Sequence, residues 1–270
     1  MSALLSAIRA GRKPVIGMVQ LDALATSAPY RGDGLASILD AALAEARVLA
    51  DNGVDALMAQ NLGDIPVALE ATREQVAWMT RIASDIRATF GLPVGLNMLE
   101  NDAAAMMAAA SAAGADFIRV KIYVGAMMTP FGVETARAHQ AIKARNALAA
   151  DSVAIFADVH DRTGVPIASG GFLEDAEFAL RLGRADGLVL TGRSYSDTGE
   201  LVRAVKREYP RAPVLVGGGV TQQNIREVLS LADGAIVSTS LKNSGSAVGR
   251  LDPVKVKEFM AEARRRPVEA

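Results

Sequence analysis

VLVGGGVTQQNI (214–225) and DGAIVSTSLK (233–242) are two segments near the end of the chain in which an apolar run is followed at once by small residues. A backbone without bulky side chains can approach an anion, and Thr221 suits the N-cap of a helix that starts near Gln222. The loops after strands seven and eight of a barrel built from βα units often form a phosphate site from these parts. The alternative is that the glycines only form a tight strand-to-helix turn. We predict that phosphate is bound by Gly217, Gly218, Gly219, Ser238 and Thr239.

Apolar strand candidates alternate with alanine-rich helical stretches along the chain, which is typical of a parallel sheet covered by helices. The main alternative is an open doubly wound sheet, but its glycine fingerprint is absent after the first strand candidate. We therefore predict an α/β fold, a single (β/α)8 TIM barrel that spans 1–270 as one domain, with a short N-terminal helix at 4–10 that plugs the barrel. The strand candidates are VIGMVQL (15–21), ALMAQNL (56–62), VGLNML (94–99), FIRVKIY (117–123), VAIFADV (153–159), GLVLTG (187–192), VLVGGGV (214–220) and GAIVSTS (234–240).

Helical periodicity fills the intervals between the strand candidates, and several helical stretches end in a turn that carries an aspartate. The turns NGVDAL, AGADFI, GRADGL and LADGAI place Asp55, Asp116, Asp186 and Asp233 just before a strand candidate. These positions belong to the N-terminal face of a barrel, where residues support stability rather than catalysis. The predicted helices are 35–52, 67–90, 101–113, 133–149, 173–182, 198–209, 222–231 and 252–265.

Composition excludes several classes of function. The chain has 270 residues, a formal net charge of −1 and no basic block, which disfavours nucleic-acid binding. It has no cysteine, so disulfides, thiolate metal sites and cysteine nucleophiles are excluded. The N-terminus lacks the apolar core of a signal peptide, and no segment has about 18 consecutive apolar residues. We expect a soluble cytoplasmic protein without a membrane span.

Polar residues at the carboxyl ends of the strand candidates are the informative ones, because barrel active sites form there. Asparagines and other neutral polar groups at such positions are suited to hydrogen-bond sugar hydroxyls. The predicted substrate-binding residues are Gln20, Asp22, Asn61, Asn97, Thr191 and Gly192.

The fourth and fifth strand candidates carry the strongest signal for catalysis. Arg119 and Lys121 are two residues apart, as are Asp158 and His160, so each pair is expected on one face of its strand. Dense charge of this kind is costly to desolvate unless it is paired, and it accompanies shifted pKa values and proton transfer. The alternative is a structural salt-bridge network around Arg119 and Asp158. We predict Lys121, Asp158, His160 and Arg119 as catalytic residues.

A divalent cation is the remaining cofactor to consider. Asp22, Asp158 and His160 offer oxygen and nitrogen ligands. No tight metal-ligand spacing is present in the sequence, so we predict no metal site and no other cofactor.

The chain resembles the BtpA/SgcQ family of barrel proteins along nearly its whole length. The matching motifs, in order, are GMVQL, QNLGDIP, GLNMLEND, GADFIRVKIYVGAM, ADVHDR, LTGRS, VLVGGGVTQQN and DGAIVSTSLK. The resemblance implies a TIM barrel similar to phosphate-binding barrels. One branch of the family is linked to photosystem I assembly or stability, and another is found among sugar-catabolic functions.

This chain departs from the photosystem branch at the expected rim of the site. That branch typically has His where this chain has Gln20, Glu-Asn-Phe at 60–62 in place of Gln-Asn-Leu, Arg in place of Glu100 and Asn in place of Lys121. A shared substrate is therefore not implied.

Two functions follow as hypotheses. The first is an enzyme that acts on a small phosphorylated sugar or related metabolite by isomerisation, aldol-type cleavage or glycosyl-bond hydrolysis. Lys121 would serve either as a cation beside a developing oxyanion or as a Schiff-base nucleophile. The second is a non-catalytic assembly or stability factor that binds a partner protein, for which the Met-rich loop 126–131 is the candidate apolar surface. For either function we expect a homo-oligomer.

Overall fold

The structure, a computed structural model, describes residues 1–247 and 249–265. Eight of its strands close a barrel in the order β1-β11-β10-β9-β7-β4-β3-β2, and all neighbouring pairs are parallel. The predicted TIM barrel is therefore confirmed; residues 248 and 266–270 of the predicted domain lie outside the described residues. The strands are Val15–Gln20 (β1), Ala56–Gln60 (β2), Val94–Asn97 (β3), Phe117–Val120 (β4), Ala126–Thr129 (β5), Gly132–Thr135 (β6), Ala154–Val159 (β7), Val165–Ile167 (β8), Gly187–Leu190 (β9), Val214–Val216 (β10) and Gly234–Val237 (β11).

Helices cover the outside of the barrel, and their apolar faces pack on it in one large core. In the part of the chain that the structure describes, no helix has the length and apolar character needed to cross a membrane. The helices are Ala3–Arg9 (α1), Gly34–Asp51 (α2), Arg73–Phe90 (α3), Ala103–Ala113 (α4), Ala138–Ala147 (α5), Phe172–Glu177 (α6), Tyr195–Glu208 (α7), Ile225–Leu231 (α8) and Pro253–Ala263 (α9).

A second core fills the interior of the barrel. Side chains from α1 pack there against inward-facing residues of the strands, so the predicted N-terminal helix does plug the barrel. Phe117 and Phe156, both fully buried, form an edge-to-face pair with ring centroids 5.8 Å apart. The residues that α1 contributes are Leu4, Leu5 and Ile8.

A small antiparallel sheet, which we call the lid sheet, lies outside the barrel and consists of β6, β5 and β8 in that order. It occupies stretches that the sequence predicted as loop or helix. The helix predicted for 133–149 is wrong in its first part, because Gly132–Thr135 pairs with Ala126–Thr129 and helix α5 begins only at Ala138. The stretch from 162 to 171, for which neither a strand nor a helix was predicted, contributes Val165–Ile167 as the third strand.

The repeated aspartates lie at the N-terminal face of the barrel, as predicted. Each accepts a hydrogen bond from a backbone N–H at the start of a neighbouring strand and pairs with a cation. Asp116, for example, accepts from Val94 N at 3.2 Å, from Arg87 at 2.9 Å and from Ala3 N at 3.3 Å. Asp55, Asp186 and Asp233 do the same for Val15, Ile155 and Val214.

We predict that Asp116→Ala destabilises the fold without affecting the barrel mouth. The substitution leaves buried donors without an acceptor, which costs about 1–3 kcal/mol. Urea unfolding measures the change in free energy, with Asp151→Ala, which removes an exposed carboxylate, as the control. Equal stability of the two variants would show that the N-terminal carboxylates are dispensable.

Candidate functional site

A cavity of about 590 Å³ opens at the C-terminal ends of the barrel strands. Most of the predicted site residues lie around it, although they come from strands far apart in sequence. Those that line it are Gln20, Asn97, Arg119, Lys121, Asp158, Thr191, Gly217, Gly218, Gly219, Ser238 and Thr239.

Side-chain hydrogen bonds connect neighbouring strands around the cavity in a continuous belt. Ser238 Oγ donates to Gln20 Oε1 at 2.8 Å, and Gln20 Nε2 donates to Gln60 Oε1 at 3.0 Å. Gln60 Nε2 donates to Asn97 Oδ1 at 2.5 Å, and Asn97 Nδ2 donates to the carbonyl of Arg119 at 2.9 Å. Each amide NH2 group has a second hydrogen. The belt therefore holds the amides in fixed orientations and leaves each of them a donor for a ligand.

Arg119 and Asp158 extend this belt to β7 through a bidentate ion pair. Arg119 Nε and Nη2 donate to the two carboxylate oxygens of Asp158 at 2.8 and 2.7 Å, and both residues are buried. Burial alone would lower the pKa of Arg119, but the charge and hydrogen bonds of Asp158 outweigh it, so the pKa is raised. The pair is charged and fixed in place, which favours the alternative that Arg119 and Asp158 form a structural salt bridge.

Gly217 explains how the arginine fits inside the barrel. A Cβ at this position would lie 2.3 Å from Val189 Cγ1 and 3.1 Å from Arg119 Nη2. Real Cβ atoms do not approach as closely as 2.3 Å, so the contact with Val189 requires a glycine here, and the missing side chain also leaves space beside the guanidinium.

Lys121 is the less enclosed cation of the site. Its ammonium lies 2.6 Å from Asp161 Oδ2, and its side chain is 22% exposed. Burial and then the charge of Arg119 lower the pKa of Lys121. Asp161, which the sequence interpretation missed, is itself fixed by hydrogen bonds from Thr163 N and Oγ1, both at 2.8 Å. Its signal was present in the motif ADVHDR, two residues after Val159 ends the strand.

The predicted phosphate cradle has unused hydrogen-bond donors. Within the described residues, the backbone N–H groups of Gly218, Gly219, Thr239 and Ser240 donate to no protein acceptor. Thr239 and Ser240 begin the 3-10 turn Thr239–Leu241, whose first N–H groups have no partner inside the turn. Unpaired N–H groups at the start of a helical turn are suited to bind an anion.

Arg162 and Thr191 add side chains to this cradle. Arg162 lines the cavity beside Gly218, where a Cβ would lie 3.5 Å from its Cζ, and it forms no salt bridge with any described residue. The buried Thr191 hydroxyl has no hydrogen-bond partner among the described residues. The sequence interpretation missed Arg162 because a single arginine in a loop carries no pattern.

The helix predicted to complete the cradle does not start where expected. Thr221 is not its N-cap: α8 begins at Ile225 after Asn224, whose Oδ1 accepts from Thr221 N at 2.8 Å. The cradle therefore consists of loop and 3-10 backbone rather than of a helix N-terminus.

His160 does not line the main cavity, although it was predicted on the same strand face as Asp158. Strand alternation ends at Val159, and His160 adopts a left-handed backbone conformation with φ 56°. Its Nε2 lies 2.5 Å from Asp175 Oδ2 on α6, and its ring packs edge-on against Phe172. It lines a second cavity of about 330 Å³ that shares the walls Lys121 and Asp158 with the first.

The other predicted substrate contacts that miss the cavity have structural partners. Asp22 is half-exposed and pairs with Arg250 at 2.8 Å. Asn61 is fully buried, where its Nδ2 donates to Asp64 and Glu100 and its Oδ1 accepts from Leu99 N.

Gly192 also has a structural role. A Cβ at this position would lie 2.6 Å from Thr198 N, so the glycine lets β9 turn closely into α7. Its N–H donates to Thr198 Oγ1 at 2.9 Å.

A buried cluster of Asn61, Asp64, Gln75 and Glu100 fixes the loops behind the rim of the site. Gln75 Nε2 donates to both Asp64 and Glu100 at 2.8 and 2.9 Å, so two buried carboxylates share two amides. Burial raises the pKa of Glu100, and the negative charge of Asp64 adds a smaller increase.

The residues considered for a divalent cation do not meet. Asp22, Asp158 and His160 each contact a different partner, namely Arg250, Arg119 and Asp175. Across residues 1–247 and 249–265, no group of three His, Asp or Glu side chains is arranged to hold a metal ion.

Comparison with known proteins identifies the relatives of the chain. The model of the BtpA family matches residues 11–265. The Photosystem I biogenesis protein BtpA of Synechocystis sp. is 34% identical, with 92% of this chain and 86% of the relative covered. The Putative sgc region protein SgcQ of Escherichia coli is 29% identical, with 92% and 93% covered.

Solved structures share the fold at low sequence identity. N-(5'-phosphoribosyl)anthranilate isomerase from Pyrococcus furiosus superposes with a TM-score of 0.57 at 18% identity, and 94% of this chain and 99% of that chain are covered. At that identity the likeness supports the barrel fold alone.

The buried ion pair and the lysine should differ in their effect on stability. Asp158→Asn leaves the Arg119 guanidinium buried without a carboxylate, so we expect it to destabilise the fold by about 3–5 kcal/mol. Lys121→Met keeps most of the side-chain volume and removes an ammonium whose pKa burial has lowered. The buried Asp161 loses its cation but keeps two hydrogen bonds from Thr163, so the cost should be smaller, about 1–3 kcal/mol. Urea unfolding at pH 7 measures both.

The pH dependence of this comparison has a defined sign. Because the pKa of Lys121 is lowered from 10.5, the unfolded chain binds its proton more tightly than the folded chain does. The wild type therefore gains stability as the pH rises from that lowered pKa to 10.5, and Lys121→Met lacks this gain. If the difference in free energy of unfolding between the wild type and Lys121→Met stayed constant across this pH range, the lowered pKa of Lys121 would be contradicted.

Proposed function

The chain belongs to the BtpA family, and we propose that it is an enzyme acting on a small phosphorylated sugar or a related phosphorylated metabolite. One observation carries the proposal. A single cavity has unused anion donors on the β10 and β11 side and a cluster of ionisable groups on the β4 and β7 side. A phosphate ester would complement both parts of the cavity, because it carries an anion at one end and reactive carbon and oxygen atoms at the other.

The phosphate end is supported by donors that have no other task. Backbone N–H groups at Gly218, Gly219, Thr239 and Ser240 surround the position, and Arg162 adds a cation that no described carboxylate neutralises. Unused donors at the rim of a parallel barrel are suited to bind a phosphate, because charge-assisted hydrogen bonds to its oxygens replace the hydrogen bonds that these donors make to water.

The reactive end is supported by Lys121. Its ammonium, paired with Asp161, would stabilise a developing oxyanion; as the neutral amine it would attack a carbonyl and form a Schiff base with loss of water. Isomerisation, aldol-type cleavage and glycosyl-bond hydrolysis each combine proton transfer with charge stabilisation. The amides of Gln20, Gln60 and Asn97 would bind hydroxyl groups of the substrate between the two ends.

We predict that Arg162→Met weakens binding of phosphate and of phosphorylated sugars by about tenfold or more, since a hydrogen bond to a charged group contributes about 1.5–3 kcal/mol. Titration calorimetry and thermal shift with inorganic phosphate and ribose 5-phosphate measure the change. Arg12→Met is the matched control, because Arg12 is an exposed arginine just before β1, at the opposite end of the barrel.

Gly218→Glu tests the same site in a second way, since its carboxylate would fill the cradle with like charge. Equal stabilisation of wild type, Arg162→Met and Gly218→Glu by phosphate would place the anion site elsewhere. A wild type that phosphate does not stabilise at all would overturn the proposed function.

A second candidate function is a non-catalytic assembly factor that binds a partner protein. The observation in its favour is the outer face of the lid sheet. Met128, Val133 and Val165 are direct cross-strand neighbours and are each about half exposed, at 50%, 49% and 57%. Exposed apolar patches mark interaction surfaces. The predicted Met-rich loop is thus the central strand of this surface.

If the outer face of the lid sheet is an interface between copies of the chain, Val165→Lys should abolish self-association. A charge buried in an apolar interface stays unpaired and costs several kcal/mol. Size-exclusion chromatography with light scattering would show an oligomeric wild type and a monomeric variant with an unchanged phosphate response. A monomeric wild type would exclude a second copy as the partner.

A further inference from the structure

The inner face of the lid sheet delivers a carboxylate to the main cavity. Strand alternation places Val133 and Thr135 of β6 on the outer face, exposed, and Glu134 between them on the inner face. Glu134 is only 6% exposed and lines the cavity together with Thr129 and Phe131. The lid sheet therefore contributes to the site and does not merely cover it.

Glu134 differs from the other carboxylates around the cavity in having an oxygen with neither a hydrogen bond nor an ion pair to a described residue. Both oxygens of Asp158 accept from Arg119. In Asp161, Oδ1 accepts from Thr163, and Oδ2 has no hydrogen bond but lies 2.6 Å from the Lys121 ammonium. Glu134 Oε2 has no hydrogen-bond partner among the described residues, although it is buried. An unpaired buried acceptor costs about 1–3 kcal/mol, and such groups in native proteins call for a partner such as a ligand or an ordered water.

The charges near Glu134 define what that partner can be. The carboxyl group lies in the field of Lys121 and Arg137, while burial raises its pKa above the ordinary value. A carboxylate accepts hydrogen bonds from hydroxyl or amino groups and repels a second carboxylate or phosphate. The end of the ligand that reaches Glu134 must therefore carry a donor and no negative charge.

We propose that Glu134 selects the substrate class by binding a hydroxyl group at the end opposite the phosphate, so that the site accepts phosphorylated polyols and sugars and rejects phosphorylated acids. This inference rests on the proposed function, because it requires the phosphate to occupy the cradle of Gly218, Thr239 and Arg162. It goes further in assigning the opposite end of the ligand, which none of the predicted site residues defined. Glu134 is a specificity-determining residue on this view.

Two probes that differ in one group test the proposal. Glycerol 3-phosphate and 3-phosphoglycerate share the phosphate and the central hydroxyl, and they differ in carrying a hydroxymethyl group or a carboxylate at the other end. Titration calorimetry should show that the wild type binds glycerol 3-phosphate about tenfold or more tightly than 3-phosphoglycerate, as expected for a like-charge contact. In Glu134→Gln, whose amide keeps the shape and an acceptor oxygen but has no charge, the ratio should fall to about one.

Controls separate the failure of this inference from failure of the proposed function. Inorganic phosphate should bind equally to the wild type and to Glu134→Gln, and Glu200→Gln, which changes an exposed glutamate on α7, should keep the wild-type ratio. If phosphate binds but Glu134→Gln leaves the ratio unchanged, the assignment of Glu134 is wrong while the cradle stands. If the wild type binds none of the three probes, both fall together.

Discussion

The ion pair between Arg119 and Asp158 is the interaction on which the barrel mouth depends. Two full charges are removed from water there, and the bidentate geometry, with two short hydrogen bonds between them, offsets that cost. The carbonyl of Arg119 also accepts the last hydrogen bond of the belt that starts at Ser238. Belt and ion pair together join β11, β1, β2, β3, β4 and β7, so the polar groups of the site are oriented by one another before any ligand arrives.

The two ends of the barrel use the same kinds of residue for opposite purposes. At the N-terminal end, carboxylates such as Asp116 and Asp233 satisfy backbone N–H groups of neighbouring strands, and cations neutralise them. At the C-terminal end, backbone N–H groups of Gly218 and Thr239 have no acceptor, and Arg162 has no salt bridge, among the described residues. Closed networks stabilise the fold, whereas the open ones leave donors available to a ligand, which is the division expected for a βα barrel.

Local patterns predicted the parts of this structure that depend on neighbouring residues. Strand alternation placed Arg119 and Asp158 correctly because both lie inside regular strands. It failed for His160, one residue beyond the end of β7, where a left-handed backbone redirects the side chain. Alternation also distinguishes Gln60, which lines the cavity, from Asn61, which the sequence interpretation chose and which points into the loops behind it.

The lid sheet could not be predicted in the same way. Its strands are only three or four residues long, too short for a clear period of two, and β8 pairs with β5 across a separation of 37 residues, Met128 with Val165. Glu134 was hidden for that reason: in the sequence it begins an apparent helix, and only the pairing of Met127 with Glu134 shows that it faces inward.

The position of α1 limits how a ligand can reach the cavity. Leu4, Leu5 and Ile8 close one end of the barrel, and the ring pair of Phe117 and Phe156 fills the interior above them. The cavity is therefore closed towards the N-terminal face of the barrel, so a ligand enters and leaves at the C-terminal mouth. A bound molecule must leave at the mouth before the next one enters, so binding and release there depend on each other.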